Sequence, residues 1–136
     1  MKAFLDTPLL VYLNTVADDE RRTIYENFYL ALLDKYRLYT DVLVLDELIY
    51  VSRRKYNVPY AVTIEFVESI VLPYVTVLEL GEEEYREAAG LITRYNLKPS
   101  DALHLAAARL NGINIVISED RELDRIPVIK RVWIES

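Results

Sequence analysis

Residues 99–120 read PSDALHLAAARLNGINIVISED, and this stretch decides the fold. Pro99 suits the first position of a helix, and Asn111-Gly112 supply a stop after it. Asn114 to Ile117 is then a short β-branched run that reads as a strand. The rest of the chain repeats this alternation. Residues 2–5 form an apolar, strand-length run that ends at Asp6, and Thr7-Pro8 opens a helix. A longer helix is expected from Asp18 to about Arg37. Its Tyr25, Phe28, Tyr29, Leu32 and Tyr36 fall on one buried stripe. After a break near Tyr39-Thr40, residues 41–56 read as a helix ending in Arg53-Arg54-Lys55, and Pro59-Tyr60 open another that runs to about Val71. Tyr74 to Leu80 is a valine-rich strand broken by Gly81, and Glu82-Glu83-Glu84 favour the positive end of a helix reaching Tyr95. A helical stub over 119–125 and a strand over 129–134 complete the chain. Strands alternating with helices imply an α/β fold with a mainly parallel sheet, whose crevice lies at the carboxyl ends of its strands.

The chain has 136 residues, the size of one domain, so residues 1–136 are read as a single unit. With 52% hydrophobic and 28% charged residues it is not a disordered chain. It has no cysteine, hence no disulfide, thiolate metal site or cysteine nucleophile. The longest charge-free stretch, Thr7 to Ala17, has 11 residues, against the ~20 needed to span a bilayer. An acid at position 6 comes too early for a secretory signal, so a soluble, cytoplasmic protein is expected. The net charge of −6, from 22 acidic and 16 basic residues, argues against a protein that coats duplexes non-specifically. It leaves room for a nucleic-acid enzyme whose acids recruit divalent cations. The absence of glutamine and the single methionine fit a heat-adapted organism.

Four acids stand where acids are awkward. Asp6 ends the first strand, where it could equally cap the next helix. Glu47 lies within Val42-Leu43-Val44-Leu45-Asp46-Glu47-Leu48-Ile49-Tyr50-Val51, on an apolar helix face. An unpaired carboxylate there costs several kcal/mol; pairing with Arg54, two turns on, is the bland alternative. Asp101 sits in a first helical turn, where the dipole favours it anyway. Asp120 follows the strand that ends at Ile117 and could simply cap a turn. Glu119 and Asp124 read as solvated neighbours. A parallel sheet can bring the four acids to one crevice, where mutual repulsion raises their pKa values unless a cation intervenes. An oxygen-only set suits Mg²⁺ or Mn²⁺.

The motifs Phe4-Leu5-Asp6-Thr7, Val42 to Arg54 around Glu47, Ser100-Asp101-Ala102-Leu103-His104-Leu105-Ala106-Ala107-Ala108 and Ile115-Val116-Ile117-Ser118-Glu119-Asp120 occur in order along almost the whole chain. Together they resemble the PIN domain family, most closely the VapC-type toxin ribonucleases of toxin–antitoxin pairs. The resemblance implies a Rossmann-like five-stranded parallel sheet between helices, an acidic pocket for Mg²⁺ or Mn²⁺, endonucleolytic cleavage of RNA, an antitoxin partner and a homodimer. It carries the family's four catalytic, metal-binding acids onto Asp6, Glu47, Asp101 and Asp120, with Thr7 and Ser118 as pocket support. The sequence departs from the family at Pro8, where asparagine is common, at Ser118, where threonine is usual, and over Arg121-Glu122-Leu123. None of these removes an acid.

His104, three residues after Asp101, reads as a packed or hydrogen-bonded residue more readily than as a proton shuttle. Among the basic clusters, Arg53, Arg54 and Arg121 follow matched acids and are the candidate RNA contacts. The 11 tyrosines could stack on bases, although their helical spacing points first to core or dimer interface. No glycine-rich phosphate loop is present, and Leu5-Asp6-Thr7-Pro8 lacks the Asp-x-Asp of phosphoacceptor enzymes. The expected function is therefore a metal-dependent RNA endonuclease, with a housekeeping RNA-processing nuclease or a non-catalytic interaction module of the same fold as alternatives.

Overall fold

Lys2–Leu5 forms β1, and its Ala3, Phe4 and Leu5 are fully buried, as befits a central strand covered on both faces by helices. The computed structural model describes residues 1–134. The chain continues through α1 (Thr7–Thr15), α2 (Asp19–Lys35), β2 (Arg37–Asp41), α3 (Val42–Tyr56) and α4 (Tyr60–Phe66), which runs into a π-helical turn (Val67–Val71). There follow β3 (Thr76–Leu78), α5 (Glu82–Tyr95), α6 (Pro99–Leu110), β4 (Ile115–Ile117), a 3-10 turn (Arg121–Arg125) and β5 (Lys130–Val132).

The five strands lie in the order β3-β2-β1-β4-β5, and all four pairings are parallel. The chain builds outward from β1 to β2 and β3, then returns to the other side of β1 for β4 and β5. The order therefore reverses between β1 and β4, and the crevice beyond their carboxyl ends is where open α/β sheets place ligands. Phe4 lies opposite Val116 and Leu5 opposite Ile117. The Asp6 amide then donates to the Ile117 carbonyl at 3.1 Å, so Asp6 and Ser118 emerge side by side.

The second strand corrects the sequence reading, which carried the helix to Arg37 and saw only a break at Tyr39-Thr40. Residues 37–41 instead pair with both β1 and β3. Thr40 is fully buried, and its hydroxyl donates to the Leu5 carbonyl at 2.9 Å. The aromatic stripe on α2 is spent inside the chain: Tyr29, Leu32 and Tyr36 are core residues, while Tyr25 stacks on Tyr12 and Phe28 meets Trp133 edge-on. On α6, Ala102, Ala106, Ala107 and Ala108 have no exposed surface, so the small residues let this helix sit deep in the core. No helix among the described residues is long and apolar enough to cross a membrane.

Candidate active site

Each sequence-predicted acid arrives from a different element. Asp6 follows β1 and caps α1, accepting from the Thr7 amide at 2.9 Å through Oδ1. Glu47 projects from the middle of α3, Asp101 from the first turn of α6, and Asp120 follows β4 and caps the 3-10 turn through the Glu122 amide at 3.0 Å. The capping readings of Asp6 and Asp120 are thus realised, and capping does not remove them from the crevice. All four acids line one pocket of about 350 Å³, together with Thr7, Tyr12, Lys55 and Lys98.

Two hydroxyls stitch the acids together. The Ser118 hydroxyl donates to Asp6 Oδ2 at 2.7 Å and accepts from the Asp120 amide at 3.1 Å. The Thr7 hydroxyl donates to Glu47 Oε1 at 3.0 Å, while the Thr7 amide holds Asp6. Ser118 is fully buried, so its position is fixed by packing as well as by these bonds.

Glu47 does not pair with Arg54. Its partner is His104, whose Nε2 lies 2.7 Å from Glu47 Oε1 and whose Nδ1 lies 2.7 Å from Asp41 Oδ2. Ionised carboxylates only accept, so both ring nitrogens donate and the ring is an imidazolium. Burial opposes that charge. The hydrogen bonds to Asp41 and Glu47, with the charges of Asp41 and Asp6, override it and push His104 up to about 10. Burial likewise works against ionising Glu47, but His104, Thr7 and Lys98 hold its carboxyl below the ordinary range. Asp41 has no exposed surface. Its Oδ1 accepts from the Val44 amide at 2.9 Å to cap α3, and its other oxygen anchors the imidazolium.

The other acids lack such a cation. Burial pushes Asp6 up, with the Glu47 charge adding to it, although His104, Ser118 and the Thr7 amide pull the other way. Asp101 is pushed up to about 6 by burial and by the charges of Asp6 and Asp120, against the weaker pull of His104 and Lys98. Among the described residues no three His, Cys, Asp or Glu side chains are drawn close enough to hold an ion as they stand. The donor set nevertheless fits a hard divalent cation. It is all oxygen, it is recessed, and two of its carboxyls are pushed toward neutrality by burial and, secondarily, by neighbouring carboxylates, a repulsion that a cation relieves.

Sequence reasoning missed Asp41 and underrated Glu119. Glu119 lines the same pocket and accepts a hydrogen bond from the Tyr12 hydroxyl, so it is not a solvated bystander. Asp124 lies outside it, paired with Arg131 at 2.9 Å. Arg121 is exposed and lines neither this pocket nor its neighbour, whereas Arg53 and Arg54 line a second pocket of about 410 Å³ with Tyr50 and Tyr60.

A family model described as the PIN domain matches residues 3–129. Among solved structures, DNA-bound VapBC from Salmonella typhimurium is 21% identical, with a TM-score of 0.71 over 98% of both chains. VapBC-1 from nontypeable Haemophilus influenzae is 20% identical, with a TM-score of 0.71 over the whole of both chains. Mycobacterium tuberculosis VapC20, described as a Sarcin-Ricin loop cleaving toxin, is 18% identical, with a TM-score of 0.70 over 87% of this chain and 89% of that one. At these identities the likeness is one of fold. No curated protein matches the sequence.

Proposed function

The chain belongs to the PIN domain family, and on that premise we propose that it is a divalent-metal-dependent RNA endonuclease, the toxin of a VapBC-type pair. The observation that carries this reading is the convergence of Asp6, Glu47, Asp101 and Asp120 on the crevice between β1 and β4. Asp6, Asp101 and Asp120 would hold Mg²⁺ or Mn²⁺, with Glu47 direct or through water. Bound there, the cation supplies charge neutralisation at a phosphodiester and a more acidic water.

The chain's own residues do the positioning. Ser118 fixes Asp6 relative to the Asp120 backbone, and Thr7 and His104 fix Glu47 through Oε1. Oε2 has no protein hydrogen-bond partner among the described residues and is the atom left for water or cation. Lys55 and Lys98 on the rim give a polyanion a cationic approach to an otherwise acidic pocket. Neighbours solved as toxin–antitoxin assemblies favour a toxin with an antitoxin partner over a housekeeping nuclease. A homodimer accords with the family; the apolar centre of the α2 stripe, Tyr29, Leu32 and Tyr36, is buried within one chain and offers it no surface.

The test is cleavage of single-stranded and structured RNA with Mg²⁺, Mn²⁺ or EDTA, for wild type and Glu47→Gln on matched preparations. Cleavage that needs the added cation and falls at least ~10²-fold in the variant is expected. Cleavage unaffected by the substitution removes Glu47 from the site. No cleavage under any condition leaves the interaction module as the reading.

A further inference from the structure

The pocket lined by Tyr50, Arg53, Arg54 and Tyr60 lies on the neighbouring face of α3 from the acids. Glu47, Val51 and Lys55 form the ridge that walls the acidic pocket. Tyr50, Arg53 and Arg54 form the next ridge, roughly 100° around the helix. Arg54, seven residues beyond Glu47, stands about 10 Å along the axis from it, within reach of the nucleotides that flank a bond held over the acids. We propose that this second pocket is a subsite for single-stranded RNA, taking a flanking phosphate on Arg53 and Arg54 and a base on the rings of Tyr50 and Tyr60. The proposal rests on the nuclease reading for its substrate class.

Cations in a last helical turn are expected from the dipole alone, and exposed charge is ordinarily only solvated. Neither accounts for the two rings beside them. Tyr50 is 59% and Tyr60 54% exposed, on two different helices, and they face one cavity with the guanidinium groups. Arg54 has no hydrogen-bond or ion-pair partner among the described residues, in a chain with six more acids than bases. Arg53 is held in place, since its Nη1 donates at 2.5 Å to Oδ1 of Asn57. Asn57 in turn takes the left-handed conformation, φ 58°, that ends α3 and turns the chain toward Tyr60. Stacking surfaces interleaved with cations are what a single strand needs, because every base has a π-face and every phosphate a charge. Lys55 and Tyr56 repeat the pairing on the wall of the acidic pocket, so the surface runs on into the site.

Binding of a short fluorescein-labelled single-stranded RNA by fluorescence anisotropy, on the full chain carrying Asp6→Asn and in EDTA, tests this without reading cleavage. Adding Arg53→Ala with Arg54→Ala is expected to raise Kd at least ~10-fold. The log–log salt slope should flatten by about 0.7 for each phosphate no longer neutralised. Tyr50→Ala or Tyr60→Ala is expected to weaken binding roughly 5-fold or more, while Tyr→Phe at either position keeps the ring and the affinity. Arg94→Ala, an exposed arginine on α5, should leave Kd unchanged. Unchanged affinity in the double arginine variant, equal losses with Tyr→Phe, equally tight binding of a duplex of the same sequence, or no binding by the parent each overturn the subsite. A wild type that cuts nothing but loses RNA affinity through these residues defeats the nuclease reading alone. A wild type that cuts, with a double variant that binds normally, defeats the subsite alone.

Discussion

The two halves of the acidic pocket are in opposite electrostatic states. On the α3 side, the His104 imidazolium lies between Asp41 and Glu47 at 2.7 Å from each, and Glu47 is held ionised. On the side where β1, β4 and α6 meet, Asp6 and Asp101 are pushed up by burial and by neighbouring carboxylates, and the charge of His104, with Lys98 and hydroxyl and amide bonds, does not overcome it. The compensated half keeps its shape by itself. The uncompensated half carries a repulsion that a divalent cation would relieve. On the proposed reading, shape and cation affinity fall to different residues, and substitutions should separate them.

The largest effect is expected from removing charge on the uncompensated side. Asp101→Asn should lower RNA cleavage by at least ~10²-fold, while the metal-free protein melts higher than wild type above pH 6, because a carboxylate that burial and the charges of Asp6 and Asp120 make costly to ionise is gone. Activity and melting temperature measured on the same sample check both. A lower metal-free melting temperature would show that Asp101 is not under repulsion.

Breaking the compensated half should do the reverse to stability. His104→Leu leaves the fully buried Asp41 without its cation, a change of the kind that costs ~3–5 kcal/mol. Urea unfolding of the metal-free protein measures it. Arg54→Ala, by contrast, should stay within about 0.5 kcal/mol of wild type, since Arg54 does not pair with Glu47.

The two halves also titrate in separate windows. Asp101 sits at about 6 when folded against an ordinary 3.8, so between those values the folded state holds a proton that the unfolded chain has released. His104 sits at about 10 against 6.5. Metal-free stability should therefore fall as pH rises from 3.8 to about 6, and fall again from 6.5 toward about 10. Asp101→Asn should make the first decline shallower, leaving the part that the raised Asp6 carboxyl contributes, and His104→Leu should abolish the second. Unfolding free energies across pH in EDTA provide the check.

A smaller effect is expected at the seam between Asp6 and Asp120. Ser118→Ala removes the donor to Asp6 and the acceptor for the Asp120 amide, for about 1–2 kcal/mol. Cleavage should drop about tenfold, as for groups that orient a ligand without being one. An unchanged rate would mean that Asp6 is positioned by its Thr7 bond alone.

Much of this was legible in the sequence, for identifiable reasons. Long amphipathic segments with caps declared the helices, and acids after short apolar runs declared the crevice. The strand at 37–41 was hidden because Tyr36 extends the α2 stripe, and no glycine or proline separates helix from strand. Asp41 fell with it. At the head of a helix it reads as a cap, which it is, and nothing local shows that its second oxygen reaches a histidine 63 residues away. His104 was legible as a buried, bonded residue. That its two partners were both carboxylates followed only from the fold, which brings Asp41 at the end of β2 and Glu47 on α3 to α6. Reading 37–41 as a strand would have placed Asp41 at its buried end, where an acid requires a partner.

Calorimetric titration of Mn²⁺ into wild type, Asp101→Asn and Arg94→Ala at pH 7 tests the central claim most directly. Saturable binding by wild type and by Arg94→Ala, with release of protons as Asp101 ionises fully, and affinity reduced at least ~10-fold in Asp101→Asn, is the expected result. Equal Mn²⁺ affinity in wild type and Asp101→Asn, or no binding by wild type, would contradict the assignment of this crevice as a cation-dependent site.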